Sequence, residues 1–379
     1  MTERVATVGE ILEREADRLV LPPLPIEPGI YFGMPEEQYH SIRALSSGGV
    51  RDLLVSPLTY WVGSPFNPDR EDEKTASMLD GTAFHRRLLE PEKFDAIYAV
   101  EPTKGDAFKD ALDGGEALRA ECERLGLKKS GTIAELCARI LEANPQAQLW
   151  PVIEKTLRAK LEGRELLKLD TMKAIERAAD LIFRHHSATK ALSGGMAEVS
   201  IFWTDEETGV PMKIRPDYLK TKIAIDLKSF VNMLGRPLNA AIASAVKSNG
   251  YGIQAVMYGD GIEQAKKMLR SMKSKAIHNL DGREIPDEWI IAVASCPLHA
   301  FAFLFVERGP VTNVRLREYR RAEGPGSQNA YWEADFAAYR QGVNTFVDWM
   351  ERIGPDQPWV EDQPMLPFSD GDFPLWALS

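Results

Sequence analysis

The chain has 379 residues, room for one large domain or two ordinary ones with ample core. Hydrophobic residues make up 44% and charged residues 27%, the balance of a soluble globular protein. The net charge of −10, from 46 basic and 56 acidic residues, argues against a broad nucleic-acid surface. It leaves room for a local basic channel, since screening confines a charge's field to about 10 Å.

No run of about 18 apolar residues is present, so no membrane span is expected. The N-terminus lacks the apolar stretch of a signal peptide. Cys122, Cys137 and Cys296 have no paired spacing, which argues against a disulfide framework and a cysteine-rich metal site. The expected compartment is reducing cytoplasm.

Residues 1–20 read as an amphipathic helix and "LPPLPIEPG" as a proline-rich linker, together an arm over 1–29. Ser46 or Ser47 is placed to cap a short helix that ends near Ser56-Pro57. "TASMLDGTAFHRRLLEPEKF" predicts a helix stopping near Pro91, with Met78, Phe84, His85, Leu88 and Leu89 on one face. Residues 103–149 form a separate helical insertion: a helix, a Gly turn, an extended piece, and a second helix capped by Thr132. A helical stretch with many basic residues follows, from about 150 to 190. The adjacent His185 and His186 read as a surface pair.

The pattern then changes to period two. Residues 197–203, 210–219 and 222–230, joined by "TDEETG" and "KT", predict an antiparallel meander. Helices are expected near 236–248 and 251–269, strands at 289–296 and 300–307, and a late helix from "NAYWEAD" onward. The acidic, proline-rich tail, 354–379, is expected to fold back on the body. This order predicts an α/β fold, a mixed sheet flanked by helices, with the core over 30–102 and 150–353.

"AIDLKS" holds the chemistry. Asp226 and Lys228 stand two apart on a predicted buried strand and so share a face. A buried carboxylate needs a partner, either the lysine or a metal. Asp217 lies one hairpin earlier and Glu198 one strand before that, so three carboxylates are expected to converge at one end of a sheet. Hard oxygen ligands beside one lysine suit Mg²⁺, or Mn²⁺, shared with a phosphate. That chemistry is phosphodiester hydrolysis. A salt bridge between strands is the alternative for a bare D-x-K.

"RPDYL…IAIDLKS" resembles the PD-(D/E)XK nuclease pattern. "MLDGTAFHRRLLEPEKF", "YHSIRALSSGGVRDLLVSPLTYW" and "YGIQAVMYGDGIE" resemble segments of the exodeoxyribonuclease VIII (RecE-like) group, related to RecB-type nuclease domains. The resemblance runs in order along residues 30–310. It implies a restriction-endonuclease-like core and Mg²⁺-dependent cleavage at ends of double-stranded DNA, 5′→3′, in phage-type recombination or repair. It implies His85, Asp217, Asp226 and the Leu227 main-chain carbonyl as metal ligands. Glu198 is implied as the acidic residue near the metal, Lys228 as the catalytic lysine, and Gln254 and Tyr258 as DNA-facing. It also implies a homo-oligomer, a ring in related exonucleases, and a single-strand annealing protein as partner. A DNA-end-binding or partner-docking module on the same fold, without strong cleavage, is the alternative.

"LRAECERLGLKKSGTIAELCARILE" resembles a SAP motif, a small helix–extension–helix DNA-binding module. Lys128 and Lys129 stand beside its second helix N-terminus, where backbone N–H groups attract phosphate. Residues 116–142 carry five basic and five acidic residues, so charge alone does not assign the role. Changing Lys128 and Lys129 to Glu is expected to weaken duplex binding and lower its salt dependence by up to about two counterions. An unchanged affinity and salt slope in a binding titration would make the insertion structural.

Overall fold

The computed structural model describes residues 21–71, 76–308, 312–321 and 329–362, with 367 and 369. The helix expected over 1–20 and most of the tail beyond 362 lie outside the described residues. The chain divides into two compact units: residues 1–73, 190–307 and 313–379, and residues 74–189 with 308–312.

The strands among the described residues are β1 (Gly29–Phe32), β2 (Tyr98–Val100), β3 (Glu165–Leu167), β4 (Met196–Ala197), β5 (Ser200–Thr204), β6 (Pro211–Ile214), β7 (Tyr218–Leu219), β8 (Ile223–Phe230), β9 (Ile277–Asn279), β10 (Ala300–Glu307) and β11 (Val314–Glu318). The first unit is a mixed α/β fold with two sheets, in the orders β6-β5-β1-β9 and β11-β10-β8-β7-β4. β8 runs parallel to β10 and antiparallel to β7. The helices Leu238–Ser248 and Tyr251–Met272 lie in the crossover between β8 and β10, as a parallel pair requires. β10, "AFAFLFVE", is buried along nearly its whole length, which explains its unbroken apolar run.

Local chemistry sets the helix ends. The Ser46 side chain accepts from Gly49 N–H and caps Ser47–Val55. Ser56 ends that helix and, followed by Pro57, caps the next one through Thr59 N–H. The opening of the tail folds back: Trp359 is fully buried, with its ring 5.2 Å from Tyr60 and 5.7 Å from Phe346.

Three expectations need correction. Residues 289–296 were expected as a strand, but all of them except Cys296 lie in the helix Asp287–Ser295. Pro286 precedes it, Asp287 and Glu288 occupy its positive end, and an eight-residue apolar run does not distinguish the two structures. The stretch 150–190 is not one helix. Gly163, with φ +83°, follows the helix Trp150–Lys160, β3 then pairs with β2, and the helix Leu169–Arg184 begins afterwards. Finally, the meander is two hairpins in two sheets, β5–β6 and β7–β8.

In the second unit the helices Gly114–Arg124 and Ile133–Ala143 pack Leu118, Cys122, Leu136, Cys137 and Ile140 into a small core. Thr132 and Glu135 form a reciprocal capping box. The unit is wider than 103–149: Arg87, on the helix Ala76–Leu89, makes a two-pronged ion pair with Glu176 on Leu169–Arg184. No helix among the described residues is long and apolar enough to cross a membrane.

The helix Tyr251–Met272 lies against β5 and β6, and Gly261 allows the approach. A Cβ there would fall 2.6 Å from Ile214 and 2.8 Å from the Trp203 ring. Gly261→Ala is expected to cost about 1–3 kcal/mol through overpacking. An unchanged midpoint in urea unfolding would show that the helix retreats freely.

Candidate active site

Two chain breaks face each other. Between β6 and β7 the chain leaves one sheet for the other at Arg215-Pro216-Asp217, and between β4 and β5 it does so at Glu198-Val199. The β4–β7 register pairs Ala197 with Tyr218, so the next step sets Glu198 opposite Asp217. The Glu198 N–H donates to the Asp217 carbonyl at 3.0 Å. Glu198 has φ +53° and is the one non-glycine residue with positive φ among the described residues. That conformation costs about 1–2 kcal/mol and is retained mostly where function needs it.

The β7–β8 register pairs Tyr218 with Ile225, and one step on sets Asp217 opposite Asp226. A further step would oppose Leu227 to Pro216, whose strand has already parted, so its carbonyl does not receive the Leu227 N–H, and it has no N–H to offer the Leu227 carbonyl. The Asp217 side chain fills the place: its Oδ2 accepts from Leu227 N–H at 2.6 Å. The N–H and C=O of one strand residue leave by the same edge, so the Leu227 carbonyl faces this gap too.

Asp226 is 1% exposed. Its Oδ2 lies 2.6 Å from Lys228 Nζ, and its Oδ1 accepts from Gln254 Nε2 at 2.7 Å. The Lys228 ammonium also sits 4.7 Å from the centre of the Tyr251 ring. Burial alone would lower the pKa of Lys228, but Asp226 and then Asp217 outweigh it and the net direction is up. Burial pushes Asp217 from its ordinary 3.8 to about 6, against the pull of Lys228, the Leu227 N–H and Arg215. Two carboxylates therefore share one ammonium in a low-dielectric setting.

The structure brings Asp217, Asp226, Lys228 and Leu227 together. The Glu198 carboxylate is drawn to Arg215, 3.2 Å from its Nε. The expected convergence of three carboxylates is corrected to that extent: among the described residues, no group of three or more His, Cys, Asp and Glu could hold a metal. Gln254 and Tyr258 were expected to face DNA, but both are buried. Gln254 holds Asp226, and the Tyr258 hydroxyl donates to the Arg215 carbonyl at 3.1 Å. Burial, then the nearby anionic groups, keep the Tyr258 hydroxyl protonated.

His85 is half-buried on the helix Ala76–Leu89 in the second unit. Lys128 and Lys129 are exposed there, and Lys129 pairs with Glu123 at 2.8 Å.

Two residues escaped the sequence reading. Arg215 has its guanidinium 5.2 Å from the Tyr39 ring and anchors Glu198. Its signal was an arginine directly before the Pro-Asp pair. Tyr251 stands three residues before Gln254, nearly one helical turn, but nothing in spacing alone ties it to Lys228.

The donor set suits a hard cation. Mg²⁺ keeps several waters and takes only one or two carboxylates from a protein. Asp217, Asp226 and the Leu227 carbonyl supply that number, and their charge exceeds what Lys228 compensates.

A family model described as a PDDEXK-like domain of unknown function (DUF3799) matches residues 65–295, more than half the chain. The chain belongs to this family. The Pro216-Asp217 and Asp226-x-Lys228 pairs lie within the matched residues. A solved structure from Eubacterium rectale, named there provisionally as an exonuclease, is 14% identical. The match spans 90% of this chain and 98% of that one, with a TM-score of 0.45, and a likeness so distant says nothing of activity. No curated protein matches the chain.

The raised Asp217 gives a pH signature. Between 3.8 and about 6 the folded state holds a proton that the unfolded chain has lost, so stability falls as pH rises through that window. In metal-free buffer, Asp217→Asn is expected to raise stability above pH 6 by at most about 3 kcal/mol, since part of the side chain stays accessible. The gain should fade toward pH 4. Melting curves in EDTA across this range test it; a variant less stable than wild type at pH 8 would contradict the assignment.

Proposed function

We propose that this chain is a metal-dependent deoxyribonuclease that hydrolyses phosphodiester bonds at ends of double-stranded DNA. The observation that carries this reading is the Pro216 break, which sets Asp217 beside the buried Asp226–Lys228 pair in a family defined by that pattern. Asp217, Asp226 and the Leu227 carbonyl would hold Mg²⁺ or Mn²⁺. A bound divalent ion lowers the pKa of its water and offsets charge on the scissile phosphate.

The remaining work falls to the chain. Gln254 fixes the Asp226 carboxylate through Oδ1. Lys228, kept protonated by its two carboxylate neighbours, would hold the attacking water or meet the negative charge that grows on phosphate oxygens. The Tyr251 ring and Asp226 limit where that ammonium can go. Arg215 holds Glu198 at the margin, where it would bind outer waters.

Preference for ends, 5′→3′ polarity, assembly into a ring, an annealing-protein partner, phage-type recombination and a cytoplasmic location rest on the resemblance to RecE-like segments. The helix–extension–helix of 114–143 is read with them as a DNA contact through Lys128 and Lys129.

The test is digestion of end-labelled linear duplex and of closed circular duplex, with Mg²⁺ or EDTA. Linear DNA should be degraded only with metal, and the closed circle should survive. Asp226→Ala and Lys228→Ala should each lower the rate by about 10²–10³-fold or more with the fold intact. Cutting that survives both changes would falsify the site. Duplex-end binding with no cutting by wild type would favour a binding module instead.

A further inference from the structure

The segment from Leu227 to Gly259 contains Lys228, Arg236 and Lys247 and not one Asp or Glu, in a chain where acids outnumber bases by 56 to 46. It includes the end of β8, the turn after it and the helix Leu238–Ser248.

The strand register carries this run of cations across the sheet. Lys228 pairs with Phe305, and Phe305 with Arg315. Asp226 pairs with Phe303, and Phe303 with Arg317. Residues paired in register share a face. Arg315 and Arg317 therefore stand on the face that carries Asp226 and Lys228, two strands outward, and both are exposed.

Neither guanidinium is ion-paired among the described residues. Arg315 donates to the Val314 carbonyl, and Arg317 donates to the Leu316 carbonyl and to Asn239 Oδ1 at 2.6 Å. Arg236 donates to Ser244 Oγ, also without a carboxylate. Glu307, at the far end of β10, shares the face but is tied to Asn313. Unneutralised cations clustered beside a catalytic lysine, in an acidic chain, call for a polyanion.

The turn that follows β8 adds an apolar feature. Met233 and Leu234 are 87% and 73% exposed. The turn is not loose: the Asn232 amide bonds the Arg236 carbonyl at 2.8 Å, and its oxygen accepts from Arg236 N–H at 3.0 Å. Two large apolar side chains are thus held in water by an ordered turn five residues beyond Lys228. The faces of an unpaired or terminal base are a fitting surface for them, as apolar wedges at base steps show.

Resting on the nuclease reading, we infer that the DNA backbone runs outward from Lys228 over Arg315, Arg317, Arg236 and Lys247, with Met233 and Leu234 against the terminal base pair. Charged residues on an edge strand also discourage sheet-to-sheet pairing, and apolar tips also join copies of a chain. The experiment separates these.

Binding of labelled duplex to the full chain is measured in EDTA over a salt series. Arg315→Ala/Arg317→Ala should lower the slope of log K against log salt by about 2, close to one per lost phosphate contact, and weaken binding at low salt. Met233→Ser/Leu234→Ser should keep the slope and lose the preference for linear over closed circular duplex. All four positions are exposed, and the unfolding midpoint checks the fold. A wild-type slope in the arginine variant overturns the track. If the apolar variant keeps its preference for ends, or changes the mass of the particle in solution instead, the terminal-base contact falls. Duplex binding with the expected slopes but no cleavage with Mg²⁺ would sink the nuclease reading and leave this surface standing. Cleavage with unaltered slopes would do the reverse.

Discussion

The hydrogen bond from Leu227 N–H to the Asp217 carboxylate organises the site. It exists because β7 stops short of Pro216: the strand parts there, the Leu227 N–H loses the carbonyl it would otherwise meet, and proline has no N–H for the Leu227 carbonyl either. A buried N–H left unpaired is costly, and the nearest acceptor is the side chain one residue on. Satisfying the backbone therefore carries a carboxylate to a place beside Asp226, where electrostatics alone would not put one. Lys228 then serves two anions, and the excess negative charge is what the proposed divalent ion would offset.

The helix Tyr251–Met272 holds that arrangement from behind. Within two turns it supplies Tyr251 to Lys228, Gln254 to Asp226 and Tyr258 to the Arg215 carbonyl. Gly261 lets the next turn sit on Trp203 and Ile214, which fixes the helix against the sheet. Interactions behind a carboxylate limit its motion, and small displacements of catalytic groups are expensive in rate. Arg215 joins the two halves, since its side chain holds Glu198 while its carbonyl accepts from Tyr258.

Much of this was legible in the sequence. Period-two patterning located β8, a continuous apolar run located β10, and the serine–proline and threonine–glutamate signals located the helix ends. Asp226 and Lys228 share a face because strands alternate, and no structure was needed for that. The rest depended on contacts that spacing does not encode. "VPMKIRPDYL" reads as one strand, yet Pro216 divides it between two sheets, and that division creates the site. Glu198 was found by its position, but its pairing with Arg215 follows from a left-handed backbone that no pattern announces. Gln254 and Tyr258 share a helix face as expected, but which way that face turns is a matter of packing. The helix Asp287–Ser295 was misread because a short apolar run is ambiguous when neither period is sustained.

Charge balance connects the site to the rest of the molecule. A net charge of −10 repels DNA at long range, but beyond about 10 Å salt removes most of that repulsion. What matters within that distance is which side chains are present, and for 33 residues from Leu227 the chain omits carboxylates altogether. The two aspartates that remain on the face are those that would be neutralised by a divalent ion. An ion bound there would turn the local balance from negative to positive at the point where the proposed reaction would seat a phosphate. Without it, Asp217 and Asp226 would repel the phosphate that Lys228 attracts. A site so built would let substrate approach and metal occupancy reinforce each other, because each relieves a charge the other cannot.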